Sequence, residues 1–448
     1  MSAMTETPLY TRPAELLQYL IRFDTTNPPG NERECLQWLA EQLHAVGIES
    51  TLLASDPDRP NLIARIKGQG HVPPRLLQGH VDVVTTENQR WTYPPFGAEM
   101  HDGMIWGRGA LDMKSGVAMM TAAFLQAHAE QTALPGDVIL CLVSDEEAGG
   151  DVGARFLVEQ HPEQFTGVKY ALGEFGGFTI DIRGARFYPI MIAEKQICAL
   201  RMVVRGPAGH GSLSTRGGAM ARLGQALTRL DQNRLPVHIT PPAKLMINGV
   251  ARALPAPAGP VLGQLANPML TNQLLGLLGS NAATFDPLVR HSASPTMLRA
   301  SSKINVIPAE VELGIDGRIL PGYKPDDLLR ELRTLLGPDL NPHIDLHVER
   351  YDPGPESLDV SQFETLAGIL REMDPAGHPI PLLLSGVTDA RYFSRLGIQT
   401  YGFLPMPLPA DFAFASTIHA ANERIPVAAL EFGTRAIFTA LQRLGTAG

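Results

Sequence analysis

Two adjacent carboxylates, Glu146 and Glu147, follow a continuous apolar run at 137–143. Such a run is typical of a buried parallel strand, and open α/β sheets gather their ligands at the carboxyl ends of these strands. Because neighbouring side chains point in different directions, one carboxylate could hold a metal while the other moves protons. Acidic triplets of this kind are more common at solvated helix starts, so the interpretation depends on what else the chain supplies.

His80 and Asp82 form a second polar pair within the apolar run 76–84. Period-two spacing predicts that both side chains lie on one face of an extended segment. A metal-binding imidazole usually passes its other N–H to an acceptor, so Asp82 suits the orienter of a metal-binding His80. The alternative is a buried histidine that a neighbouring aspartate holds without any metal.

Three further residues extend the set. Asp112 lies in the glycine-flanked loop 107–116, just before an apolar helical pattern, where the alternative is a helix N-cap. Glu174 follows a short apolar run, and His419 lies near the end of the chain. Two histidines, three carboxylates and one spare carboxylate fit two zinc-like ions about 3.5–4 Å apart, with the spare acid as base.

The order of these motifs resembles that of one enzyme family. His-x-Asp, Gly-x-x-Asp-Met-Lys-x-Gly, Asp-Glu-Glu, Glu-x-Gly-Gly and Ile-His-x-x-Asn-Glu occur in this order. The pattern is similar to that of the co-catalytic zinc family of aminoacylases, acetylornithine deacetylase, succinyl-diaminopimelate desuccinylase and glutamate-type carboxypeptidases. The likeness runs from 23–32 to 422–426. Segments 195–212 and 402–405 most resemble carboxypeptidase-S-like and N-acyl-amino-acid hydrolase members.

The resemblance implies a metal-binding role for five residues. Asp112 would bridge both metals, His80 and Glu174 would complete one site, and Glu147 and His419 would complete the other. Two zinc ions are the implied cofactors, and cobalt or manganese suits the same histidine and carboxylate donors.

The resemblance also implies how the metal site works. Asp82 would orient His80, and Glu146 would act as general acid/base on a water shared by the metals. A cis peptide bond is expected between Asp112 and Met113, because family members usually have one after the bridging aspartate.

Further substrate contacts are implied by the likeness. His210, in the glycine-rich segment 206–212, resembles the family histidine that stabilises the tetrahedral oxyanion, often in the other subunit's active site. Asn305 and Arg318 match positions that contact the transition state and the substrate carboxylate, for which a guanidinium is well suited. Asp389 and Arg391 resemble a loop beside the metals. The alternatives are a loop histidine for His210 and a strand-face charge for Arg318.

Strands alternating with helices predict an α/β fold with a doubly wound, mostly parallel sheet. After Lys195 the hydrophobic pattern changes to one of alternating apolar and polar residues. It predicts the strands and helices of a small α+β unit, which resembles the family's lid and dimerisation domain. The predicted domains are 1–195, 196–352 and 353–448, with the first and third forming the catalytic domain. The lid carries an extra Pro- and Leu-rich segment at about 236–300, and a homodimer through the lid is expected.

Composition limits the partners. The chain has 448 residues, with 44% hydrophobic and 19% charged residues and a net charge of -9, which argues against a nucleic-acid surface. The segment 1–12 lacks a leader pattern and no long apolar run occurs, so neither secretion nor a membrane partner is expected and cytoplasm is the default. Cys35, Cys141 and Cys198 are scattered, which predicts reduced core thiols.

The sequence therefore predicts a metal-dependent hydrolase that cleaves an N-acyl or peptide bond next to a free carboxylate in a small molecule or short peptide. Glu174 favours this activity, because family dipeptidases tend to have Asp there. The hydrophobic residues Phe403, Leu404, Phe412 and Phe414 are candidates for an apolar pocket. The alternatives are a dipeptidase or aminopeptidase, and a non-catalytic protein that binds a small amide.

Overall fold

The computed structural model describes residues 8–213, 216–279, 282–355 and 357–446. The chain forms two compact units. The first contains Met1–Ile192, Leu358–Leu382 and Thr388–Gly448, and the second contains Ala193–Ser357 and Leu383–Val387. Residues 193–195, 353–355, 357 and 383–387 group with the second unit, whereas the sequence predicts them in the catalytic domain.

The first unit is built from alternating strands and helices. Its strands are β1 (Ser50–Leu53), β2 (Asn61–Ile66), β3 (Arg75–His80), β4 (Glu99–His101), β5 (Met104–Trp106), β6 (Val138–Val143), β7 (Tyr170–Gly173), β8 (Ile180–Ile182), β9 (Ala185–Glu194), β16 (Gly377–Leu384), β17 (Gln399–Gly402) and β18 (Arg424–Pro426). Its helices are α1 (Pro13–Arg22), α2 (Arg33–Ala45), α3 (Lys114–Ala129), α4 (Ala154–Gln160), α11 (Phe363–Met373), α12 (Ala390–Phe393), α13 (Phe414–Thr417) and α14 (Val427–Arg443).

Nine strands form one sheet in the order β1-β2-β6-β3-β7-β17-β9-β16, with β8 paired to β9. The four central strands, β6, β3, β7 and β17, run parallel. Antiparallel pairs, β1 with β2, β2 with β6, and β17 with β9, border this centre. The predicted α/β fold is confirmed. A small second sheet has the order β18-β5-β4.

The burial of α3 follows from its sequence. From Lys114 to Leu125 every residue is buried, and the helix packs against α1 and α14. A helix that is apolar on all sides must be covered on all sides. The Lys114 ammonium is accommodated there because it donates to the backbone oxygens of Leu20 (2.9 Å) and Phe23 (2.7 Å).

The second unit has an antiparallel four-stranded sheet in the order β12-β14-β10-β15. Its strands are β10 (Gln196–Arg205), β11 (Gly209–His210), β12 (Ser292–Arg299), β13 (Val306–Ile307), β14 (Glu310–Ile319) and β15 (Ile344–Asp352). Its helices are α5 (Ala219–Gln232), α6 (Pro241–Ala253), α7 (Ala258–Gly263), α8 (Pro268–Leu278), α9 (Ala282–Phe285) and α10 (Pro325–Leu340).

Two separate cores stabilise this unit. Alternate residues of β14 are buried, as expected for a strand with one covered face, and the apolar sides of α5 and α10 pack on it. The extra segment has its own small core, which includes Ile247, Leu265 and Leu275. Among the described residues, no helix combines the length and apolar character that crossing a membrane requires.

Candidate metal centre and active site

Three of the predicted motifs meet because they follow neighbouring parallel strands. His80 is the last residue of β3, Glu174 comes directly after β7, and the short 3-10 helix Glu146–Ala148 follows β6. Since β6, β3 and β7 are adjacent and parallel, their carboxyl ends share one edge of the sheet.

The first candidate ligand group contains His80, Asp112 and Glu174. The Nε2 atom of His80 lies 3.3 Å from Asp112 Oδ1 and 3.5 Å from Glu174 Oε2. His80 is 1% exposed, and its Nε2 makes no hydrogen bond with any described residue. A buried nitrogen that faces two carboxylates is the arrangement that a divalent cation would fill.

The second candidate ligand group contains Asp112, Glu147 and His419. The Nε2 atom of His419 lies 3.3 Å from Asp112 Oδ2 and 3.3 Å from Glu147 Oε2. The two oxygens of Asp112 therefore serve different groups, as a bridging carboxylate must. The Asp112-Met113 peptide bond is cis, as expected from the resemblance.

Asp82 organises both polar motifs. The Nδ1 atom of His80 lies 3.0 Å from the Asp82 backbone oxygen and 3.4 Å from Oδ1. The Asp82 carboxylate also accepts the backbone N–H groups of Glu146 and Glu147, each at 3.1 Å. The sequence predicts that His80 and Asp82 lie on one face of a strand, but strand β3 ends at His80. Asp82 contacts the His80 imidazole because the chain beyond the strand turns back toward the ring.

Glu146 contacts a buried arginine. Arg391 Nη1 lies 3.6 Å from Glu146 Oε1, and the guanidinium also donates to the backbone oxygens of Thr388 (2.6 Å) and Gly149 (3.0 Å). Asp389 is 1% exposed, and its carboxylate has no hydrogen-bond partner among the described residues. Burial and the nearby Glu146 raise the pKa of Asp389 well above its ordinary value. Asp389 and Arg391 are therefore buried next to Glu146, the predicted general acid/base.

Glu423 holds the Asp112 loop, although the sequence interpretation gave it no role. Its carboxylate accepts the backbone N–H groups of Gly109 (3.0 Å), Leu111 (2.6 Å) and Asp112 (2.9 Å), and pairs with Arg108 at 2.8 Å. Glu423 is fully buried. The sequence feature that could have indicated this role is the position of Glu423, four residues after His419 in the same motif.

Asn27 is a second residue whose role was missed. Its side-chain amide donates to Asp82 Oδ2 at 2.8 Å and to Asp145 Oδ1 at 3.1 Å. The amide thus connects the orienter of His80 to the residue before Glu146. Asn27 belongs to the opening segment 23–32 of the family resemblance, but sequence spacing does not show that this segment reaches the site.

The site carries an excess of negative charge that shifts its pKa values. Burial would lower the pKa of His80, but Asp112, Asp82 and Glu174 raise it well above the ordinary value. Contacts with Asp112 and Glu147 raise the pKa of His419 to about 10. Burial, together with Asp112 and Glu146, raises the pKa of Glu147 to about 7. The crowded carboxylate oxygens and imidazole nitrogens fit the ligands of a bound divalent metal. Among them, Glu147 Oε1 is buried and has no hydrogen-bond partner among the described residues.

A small apolar pocket adjoins the ligand groups. Asp112 and Glu174 form its polar side, and its other walls include Phe175, Phe178, Met406, Leu404 and Phe414. Phe178 and Phe414 stack with ring centroids 3.8 Å apart. Of the four predicted hydrophobic residues, Leu404 and Phe414 line this pocket. Phe403 is instead fully buried in the core, and Phe412 packs against the Arg424 guanidinium.

In the second unit, His210 and Asn305 come together from distant parts of the sequence. His210 pairs with Val306 in the β11-β13 ladder, and Gly211 donates its N–H to the Asn305 oxygen at 2.8 Å. The exposed His210 ring contacts Ser212 Oγ through Nδ1 at 2.7 Å. Arg318 lies apart in the four-stranded sheet, where its Nε donates to Asp316 Oδ1 at 2.7 Å.

A third group with metal-ligand chemistry, His238, His291 and Glu331, also lies in the second unit. His291 Nδ1 accepts the backbone N–H of Leu320 at 3.1 Å, so the neutral ring carries its proton on Nε2. Burial lowers the pKa of His291 to about 4, which keeps this ring neutral. His238 Nε2 lies 2.6 Å from Glu331 Oε1, whereas His291 Nε2 lies 3.8 Å from the same oxygen and makes no hydrogen bond with any described residue.

Comparison with known proteins agrees with this geometry. The model of Peptidase family M20/M25/M40 matches residues 76–443. The Homo sapiens N-fatty-acyl-amino acid synthase/hydrolase is 27% identical over 83% of this chain and 74% of its own length. A probable carboxypeptidase S-like protein from Dictyostelium discoideum is 26% identical over 79% of this chain and 68% of its own length.

A solved structure shows the same fold. The metallo-carboxypeptidase from Sulfolobus solfataricus has a TM-score of 0.68 and 16% identity, covering 96% of this chain and 98% of its own. The family match spans most of the chain and includes the residues of both ligand groups. The chain therefore belongs to Peptidase family M20/M25/M40 and is a metal-using hydrolase of amide or peptide bonds.

Proposed function

We propose that this hydrolase cleaves the amide bond of an N-acyl amino acid, or a C-terminal peptide bond, next to a free carboxylate. The observation that carries the proposal is the pair of ligand groups that share Asp112, with the Glu146 carboxylate outside both groups; apolar side chains, among them Phe178 and Phe414, border this edge. An apolar wall beside a metal centre suits an acyl group or hydrophobic side chain, because apolar contacts fix such a group while the polar edge acts on the amide. The named relatives, an N-fatty-acyl-amino acid synthase/hydrolase and a carboxypeptidase S-like protein, support the same substrate class.

Two zinc ions are the proposed cofactors. His80, Asp112 and Glu174 would hold one, and Asp112, Glu147 and His419 would hold the other. Bound divalent metal supplies a Lewis acid for the amide carbonyl and lowers the pKa of water toward about 7. The histidine and carboxylate donors would also accept cobalt or manganese.

Glu146 is the proposed general acid/base, because its carboxylate is not needed by either ligand group. Burial raises the pKa of Glu146, and nearby Asp82 and Asp112 add to the rise. A carboxyl with a raised pKa can take a proton from the attacking water and return it to the leaving nitrogen. The backbone N–H bond to Asp82 and the contact with Arg391 keep Glu146 in place for both transfers.

The test is a substrate panel assayed with metal-free protein that is reconstituted with zinc, cobalt or manganese. The panel contains N-acetyl and long-chain N-acyl amino acids, blocked dipeptides, the matching amides without a free carboxylate, and free dipeptides. Glu146→Gln should retain metal and lose turnover, whereas Glu41→Gln, a change at an exposed carboxylate on α2, should leave turnover unchanged.

Each outcome decides between the alternatives. Turnover of blocked substrates that requires their carboxylate would support the proposal. Cleavage of free dipeptides alone would replace it with the dipeptidase alternative. Stoichiometric metal binding with no turnover of any substrate would favour the non-catalytic binding protein.

A further inference from the structure

The extra segment of the second unit has an unusual charge distribution. From Gln232 to Phe285 the chain contains no Asp or Glu, although the whole protein has 46 acidic residues and a net charge of -9. The charged residues of this segment are three basic ones, Arg234, Lys244 and Arg252. Lys244 and Arg252 are exposed, and neither pairs with an acidic group among the described residues. Arg234 pairs with Asp286 at 3.5 Å, so the positive charge of this surface comes from Lys244 and Arg252.

Helix α8 (Pro268–Leu278) adds an exposed apolar surface. Seven of its eleven residues are apolar; of these Leu275 is buried, and Leu274 and Leu278 pack partly against the small core of the segment. Met269 is 86% exposed and Leu277 is 82% exposed. A helix that is apolar on several sides is normally covered, so this one lacks the cover that its composition calls for.

The neighbouring helices continue the same character. Val261 on α7 is 52% exposed and Leu245 on α6 is 39% exposed. The exposed positions of α6 follow helical spacing, so Lys244, Leu245 and Arg252 lie on one face of that helix. Helices that lie in the interface of a membrane direct basic side chains toward the lipid headgroups and apolar side chains toward the acyl chains.

We propose that this segment, α6 to α8, is a docking surface for an anionic lipid bilayer. Exposed Met, Leu and Val side chains would enter the headgroup boundary, and Lys244 and Arg252 would meet the lipid phosphates. The occupant is assigned from charge, because an acid-free stretch with exposed Lys244 and Arg252 complements a surface of lipid phosphates. This peripheral contact differs from the expectation that the protein has no membrane partner, and it does not depend on the substrate.

Vesicle co-sedimentation with the full-length protein tests the proposal. The protein is mixed with vesicles of phosphatidylcholine alone or with about one third phosphatidylglycerol, at low and raised salt. Binding should require phosphatidylglycerol and weaken with salt, because exposed charges are screened. Met269→Glu with Leu277→Glu should weaken binding by at least about a hundredfold, since two apolar side chains would no longer be buried in lipid.

The charge contribution is tested separately. Lys244→Glu and Arg252→Glu should each weaken binding by at least about fivefold, the effect of removing one basic residue near an anionic surface. The matched control, Met297→Glu with Leu298→Glu, places the same charges on residues of β12 that are 57% and 54% exposed, and should bind normally. Circular dichroism and the thermal midpoint show whether every variant is folded.

Three results would overturn the proposal. Wild-type protein that stays in solution with both vesicle types would do so, as would equal binding of wild type and the α8 variant. Equal binding to both lipid compositions would overturn the assignment to anionic lipid. If the protein does not bind vesicles, but the sedimentation coefficient of the α8 variant differs from that of wild type, the surface is an interface between copies of this chain.

Discussion

Replacing Glu423 by Gln should loosen both candidate metal groups at once, because this residue holds the loop that carries their shared ligand. The carboxylate accepts the backbone N–H of Asp112 itself at 2.9 Å. Its ion-pair partner Arg108 in turn donates to the backbone oxygen of His419 at 3.3 Å. One buried pair thus connects Asp112, which is common to both candidate groups, with His419 of the second group.

The magnitude follows from the contacts that are lost. Gln keeps one oxygen, which can still accept from Leu111 and Asp112, but its amino group faces the N–H donors of Gly109 and Arg108. Breaking a buried ion pair from one side costs about 3–5 kcal/mol. Because Arg108 retains a bond to Gln89 Oε1 at 2.8 Å, the lower end applies, and we expect a loss of about 3 kcal/mol in the free energy of unfolding.

Urea unfolding of protein from which a chelator has removed the metal measures this loss of stability without a contribution from metal binding. Metal titration then measures affinity, which should fall by about tenfold or more, as is usual when a residue that orients a ligand is changed. Glu431→Gln on α14, at an exposed carboxylate, is the matched control and should change neither quantity.

A double variant separates the pair from the loop. Arg108→Gln combined with Glu423→Gln leaves no uncompensated buried charge, so it should lose less stability than the sum of the two single variants, by about 2 kcal/mol. A loss below about 1 kcal/mol for Glu423→Gln, or strict additivity of the two changes, would refute the reasoning.

Three other predictions concern the site itself. Glu146→Gln should lower kcat by about a thousandfold with metal content unchanged, as measured by steady-state kinetics and elemental analysis; lost metal would assign Glu146 to the ligands. Phe414→Ala, which removes the ring stacked on Phe178, should move the kcat/KM optimum toward longer acyl chains, and an unchanged optimum would exclude this pocket. Since the pKa of Glu147 is raised to about 7 and that of His419 to about 10, protons compete with metal, so calorimetry should show metal affinity rising through neutral pH with proton release; a flat profile would contradict these shifts.

The sequence predicted the elements around the site well because their patterns are strong. The apolar run at 137–143 coincides with β6 within one residue, and the apolar helical pattern expected just after Asp112 is α3. Parallel strands place their carboxyl ends together, so the motifs that follow β3, β6 and β7 had to meet. His419 was different, because only the family resemblance connected it with Asp112.

Other parts of the site depend on contacts that spacing does not encode. Asn27 reaches Asp82 across 55 positions in the chain, and Glu423 reaches the Asp112 loop across 311. Neither residue lies in a periodic pattern that would show the contact, since both act through hydrogen bonds from irregular backbone. The end of β3 at His80 was also missed, because the apolar residues Val81, Val83 and Val84 continue the appearance of a strand.

The electrostatics of the site show why so many carboxylates can share one sheet edge. Burial, together with the nearby Glu146 and Asp112, raises the pKa of Glu174 well above its ordinary value. Protonation is therefore favoured at Glu174 and at both histidines, whereas His419 and His80 lower the pKa of Asp112 despite burial. Divalent metal would replace these protons, so the arrangement that costs stability as a cluster of acids becomes favourable as a set of ligands. Glu146 belongs to neither candidate ligand group, which is why it is the proposed carrier of the proton that the reaction moves.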